Sequence, residues 1–168
     1  MVPHAITALI LAGPCQADAV DRWDLVPVPL RGDLTLFHLT HSYTAYWQAK
    51  LGIGGYFERP ANASELLFPT EKIIGVVAAE ITARPAPTFA VVVTEYFAGA
   101  GGQAAVVSVD GGPISPVDNI NSALRVLGVV AAQGSDEFDT VGLSGHRSTP
   151  DYLDRYVDLC EDLGVFPA

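Results

Sequence analysis

The residues able to do chemistry in this chain are few and scattered. Glu95 stands in an apolar, β-branched run, Phe89-Ala-Val-Val-Val-Thr-Glu-Tyr-Phe97. Strand alternation puts Val91, Val93 and Glu95 on one face, so Glu95 is either a buried carboxylate or the point where the strand meets water. A buried carboxylate needs a partner or a raised pKa, and such groups gather at functional sites. The solvated reading is the commoner of the two. Glu80 sits in a similar apolar setting.

Ala98-Gly99-Ala100-Gly101-Gly102 follows directly. A phosphate-binding loop would run into a helix N-terminus. Here Gln103 to Val109 reads as a strand and no Lys-Ser/Thr follows, which argues against one. Gly99, Gly101, Gly102 and Gln103 are instead expected at a flexible hairpin tip, where glycines would let a partner's backbone approach.

Gly142-Leu-Ser-Gly-His146 resembles the G-x-S-x-G of a nucleophile elbow, but His146 occupies the last position and the flanks are loop-like. Beside it, Arg147 is a lone cation in acidic surroundings. It is expected to pair with Asp136, Glu137 or Asp139, or to clamp an anionic ligand. His38 and His41 would share one helical face, yet a metal needs a third ligand that the sequence does not supply. They read as two surface histidines. Cys15 and Cys160 carry no nucleophile signature and are expected as buried, reduced thiols. No cofactor or metal is implied, and no catalytic motif is recognisable.

Charge is the most distinctive property. Only 17% of the 168 residues are charged, yet the net charge is −10. That excludes a basic nucleic-acid interface and a polybasic membrane site. Residues 134–163 hold eight acidic side chains against Arg147 and Arg155, a net of −6. Asp151, Asp154, Asp158 and Glu161 recur every three or four residues, forming one acidic helical stripe. Glu161 and Asp162 also oppose the helix dipole near its C-terminus.

These residues must be held by elements the sequence also outlines. Ala5–Ala12 reads as a buried strand ended by Gly13-Pro14, and residues 15–25 as a short helix. Pro27 and Pro29 impose an extended segment. From Asp33 to Lys50, a stripe of Leu36, Leu39, Tyr43, Tyr46 and Trp47 favours a helix capped by Asp33, although alternation at 34–40 would suit a strand. Lys72–Thr82 is ambiguous between helix and strand. The segments 89–97 and 103–109 make a hairpin with a connection longer than the two-residue ideal. Asp118 or Asn119 caps a helix that stops at Gly128. A turn or strand is expected around Phe138–Leu143. Thr149 caps the last helix, with Pro150 at its first position.

The order is not a βαβα alternation, so the expected fold is α+β: one domain over 1–168, largely antiparallel, with a central hairpin at about 89–109 packed by several helices. Such a length buries about 70% of its unfolded surface without staples. The apolar stretch Ala5–Ala12 is far short of the ~20 residues that span a bilayer, and no secretory signal is apparent. A soluble, cytoplasmic protein is expected.

Three functions follow in order of preference. The first is a binding protein of inhibitor or immunity type, whose acidic surface meets a basic protein. The second is a small enzyme or small-ligand binder, with a site near Glu95, the Gly99–Gly102 loop, His146 and Arg147. The third is a structural subunit, suggested by Tyr43, Tyr46, Trp47, Tyr56 and Phe57 within fifteen positions. A homo-oligomer is compatible with it.

Overall fold

The apolar run near the N-terminus forms β1 (His4–Ala12), which pairs antiparallel with strands on both sides. In a computed structural model of the chain, described for residues 3–56, 71–98 and 100–166, β1 lies inside a six-stranded antiparallel sheet. The other strands are β2 (Val28–Leu30), β3 (Leu34–His38), β4 (Phe89–Phe97), β5 (Ala100–Ser108) and β6 (Ser115–Val117), in the spatial order β2-β3-β1-β4-β5-β6. Six α-helices accompany it among the described residues: α1 (Ala17–Arg22), α2 (His41–Leu51), α3 (Ile73–Thr82), α4 (Ile120–Val126), α5 (Glu137–Val141) and α6 (Arg155–Leu163). This is the α+β, largely antiparallel fold expected from the sequence.

Helices cover both faces of the sheet. On one, Leu9, Leu11, Phe37, Val91 and Val106 pack against Val20, Tyr43, Val77, Ile81 and Tyr156 from α1, α2, α3 and α6. On the other, Ile6, Ala8, Ile10, Val92 and Ala105 pack against Ile120, Leu124 and Val141 from α4 and α5. Antiparallel sheets commonly leave one face in water. Burying both explains why β1 and β4 read as unbroken apolar runs and why so few residues are charged.

Several local expectations are revised. The 33–50 stretch is not one helix. Asp33 takes a left-handed φ of 60° in the turn between β2 and β3, so it caps nothing. The strand alternation at 34–38 wins, and Thr40 starts α2 by accepting from the Tyr43 amide at 3.1 Å. Of the ambiguous 72–82 stretch, Ile73–Thr82 is helix, with Lys72 in the turn before it. Phe97 pairs with Ala100, so the hairpin connection is not long. Residues 138–141 are helical, since the Asp136 side chain accepts from the Asp139 amide at 2.8 Å. Thr149 is not a cap. Pro150 is extended, a 3₁₀ turn occupies Asp151–Asp154, and α6 follows. No helix of the described residues is long and apolar enough to cross a membrane.

Candidate functional site

Thr40 fixes the start of α2 and so sets His41 at its first helical position. His41, Ala45, Gln48, Ala49 and Gly52 then share one face of the helix at spacings of three or four residues. That face borders an open cavity of about 730 Å³, also lined by Ile53, Tyr56, Glu71, Val165 and Phe166. Two contacts hold α3 against it. The Gln48 side-chain oxygen Oε1 accepts from the Ile73 amide at 3.3 Å, and the Lys72 amide donates to the Gly55 carbonyl at 3.3 Å. Glu71 itself bridges to Tyr56 through the backbone.

The chemical centre of the cavity is a pair. His41 Nδ1 lies 2.8 Å from Glu71 Oε1. A carboxylate only accepts, so the imidazole donates from Nδ1. The Glu71 side chain is 5% exposed and that of His41 28%. Glu71 Oε2 is buried with no hydrogen-bond partner among the described residues. Leaving such an acceptor unmet costs about 1–3 kcal/mol, and a native structure rarely keeps the cost without a use. A carboxylate that orients an imidazole is the arrangement of metal-bound and general-base histidines. Among the described residues, however, no three His, Cys, Asp or Glu side chains gather to hold a metal ion. The arrangement suits hydrogen bonding to a ligand.

The residues singled out from the sequence are placed elsewhere and are not brought together with this pair. Glu95 is exposed, the solvated alternative, where β4 runs past the helices. Glu80 is exposed as well, 3.9 Å from Arg22. Gly99 lies outside the described residues, as does Phe57. Gly101 and Gly102 belong to β5, opposite Tyr96 and Glu95. Gly101 is required there, because its φ is +139° and a Cβ would stand 1.8 Å from the Glu95 carbonyl oxygen. Gln103 accepts from the Ile120 amide at 2.8 Å, closing the start of α4, and donates to the Tyr96 hydroxyl at 3.1 Å.

Gly142–His146 forms a helical turn after α5, not a strand-to-helix elbow. Glu137 pairs with Arg125 at 2.9 Å, and this bond holds its carboxyl below the usual range. Arg147 contributes its carbonyl to the Ala5 amide at 2.8 Å. Cys15 and Cys160 are unpaired thiols. Cys160 is buried, and desolvation pushes its pKa up, away from the reactive thiolate; Cys15 is half-buried.

The histidines differ from the surface reading. His38 ends β3 instead of joining α2, and it is 4% exposed with Nδ1 unpartnered. Burial, helped by His146, lowers its pKa to about 4. His4 is a satisfied core residue, with Nδ1 2.7 Å from Thr94 Oγ1 and Nε2 3.1 Å from the Leu143 carbonyl. Of the aromatic cluster, Tyr43, Tyr46 and Trp47 pack into the core, while Tyr56 is exposed.

Asp151, Asp154, Asp158, Glu161 and Asp162 are all exposed. Their neighbour Arg155 pairs instead with Asp24, beyond the end of α1. None of the five acidic side chains forms an ion pair among the described residues.

Comparison with protein-family models, with curated proteins and with solved structures finds no match to this chain.

Proposed function

We propose that this protein binds a basic protein partner through the acidic face of α6 and the turn before it, in the manner of an inhibitor or immunity protein. The observation that supports this reading is the unpaired, solvent-facing row Asp151, Asp154, Asp158 and Glu161. Like charges three or four apart weaken a helix slightly, and Glu161 and Asp162 work against its dipole. Arg155, the one cation within the row, is drawn off by Asp24. What remains is a concentrated negative potential, which accelerates encounter with a cationic surface and selects for it.

The test compares the native chain with a variant carrying Asp154→Asn, Asp158→Asn and Glu161→Gln as bait for interacting proteins. The reading expects a basic partner that is retained by the native chain, is lost with the variant, and binds more weakly as salt rises. A partner held equally by both baits would overturn it, as would capture of acidic partners alone. A small-ligand site at the hairpin tip would have to use an exposed Glu95 and a Gln103 already bonded to the Ile120 amide.

A further inference from the structure

We infer that the cavity beside α2 is a binding site for an organic amine, a protonated ammonium carried on an apolar or aromatic body. The observations are independent of the acidic face of α6. Glu71 is 4% exposed, with one carboxylate oxygen held by His41 and the other without a partner among the described residues. The unmet oxygen calls for a donor, and a charged donor satisfies a buried carboxylate better than a neutral one. Among the described residues, no Lys or Arg lines the cavity. Lys72 is the nearest cation in sequence, but its stem runs beside Gly55, and it makes no ion pair with Glu71.

The remaining wall specifies the body of the ligand. Tyr56 and Phe166 are 62% and 81% exposed, and Ile53 and Val165 also line the cavity. Aromatic faces attract ammonium groups and also cover apolar carbon. A volume of about 730 Å³ falls within the range of small-molecule sites. A metal cation is a poor fit to the described residues, whose one carboxylate and one imidazole do not complete a coordination shell. A carboxylate or phosphate ligand would meet Glu71 as a like charge, and the net charge of −10 favours entry of a cation.

The experiment titrates the full chain with phenethylammonium, using 2-phenylethanol and phenylacetate as neutral and anionic counterparts, by calorimetry and amide chemical-shift mapping. The expected result is binding of the ammonium at least about ten-fold tighter than the alcohol, with no binding of phenylacetate. Shifts should centre on residues 41–56 and 71–73. Glu71→Gln should weaken the ammonium by at least about ten-fold and bring it level with the alcohol. Should Glu71→Gln fail to fold, Ala49→Trp fills the cavity from an exposed helical position and leaves the His41–Glu71 pair in place; it should abolish binding. No binding of the ammonium, equal affinity for ammonium and alcohol, or shifts mapping away from α2 would each overturn the assignment.

Discussion

The Tyr156 hydroxyl donates to Asp24 Oδ2 at 2.5 Å, joining α6 to the residue just beyond α1 across 132 positions of sequence. Arg155 reaches the same oxygen. Burial and the Asp24 carboxylate together push the Tyr156 pKa above its usual value, so the phenol stays protonated as the donor. One carboxylate oxygen carries lone pairs enough for both donors, and the Asp24 backbone sits in the left-handed region, at φ 56°. Aspartate tolerates that conformation better than most residues.

Removing this junction separates two effects. Tyr156→Phe loses one hydrogen bond to a half-exposed carboxylate and is expected to cost about 1–2 kcal/mol in urea unfolding. Asp24→Gly and Asp24→Ala lose the same contacts, but only alanine must also be forced into positive φ. Asp24→Ala is therefore expected to be less stable than Asp24→Gly by about 1 kcal/mol. Equal stability of the two would show that the backbone at residue 24 relaxes.

His38 gives a pH dependence with a defined sign. Its pKa falls from 6.5 in the unfolded chain to about 4 in the folded protein. Between those values the unfolded state binds a proton that the native state refuses, so stability rises with pH. The contribution is fully present above pH 6.5 and is lost as the pH falls toward 4, amounting to about 3 kcal/mol at most. His38→Leu, which also removes the unpartnered Nδ1, should flatten the stability profile in that window. Denaturation midpoints at half-unit steps of pH measure it, and identical slopes for the two proteins would contradict the assignment.

The glycines of the hairpin yield a local prediction. Gly101→Ala would drive a Cβ to 1.8 Å from the Glu95 carbonyl oxygen at a φ of +139°. The expected response is opening of the hairpin end, at a cost of roughly 1–3 kcal/mol. Amide exchange at residues 94–97 and 100–103 should accelerate, while the amides of Leu9 and Val92, buried mid-sheet, keep their protection. Unchanged exchange at the hairpin end would count against the register.

What could be read from the sequence followed from how local its cause was. β1 and β4 were legible because both faces of each are buried and their β-branched residues have one comfortable conformation. α3 was ambiguous for the same reason. Ile73-Ile-Gly-Val-Val is β-prone composition, and burial in the helical layer overrides it. α5 was missed, although Asp136, accepting from the Asp139 amide three residues later, is an ordinary cap signal in a short window. The acidic row on α6 was visible from spacing alone. The His41–Glu71 pair was not, because its members are 30 residues apart and neither sits in a local pattern that names the other. His38 and His41 were read as one helical face because nothing but Thr40 marks the break between β3 and α2.

The sheet ends on both sides in a strand of three residues, and each of these carries a proline at its centre, Pro29 in β2 and Pro116 in β6. A neighbouring chain that tried to extend the sheet would find a stub about 10 Å long with its central N–H missing. Main-chain stacking from molecule to molecule is thereby blocked at both borders. The long apolar strands at the centre of the sheet are kept away from any edge that a second copy could extend. The protein's associations are left to side chains on the helical surfaces.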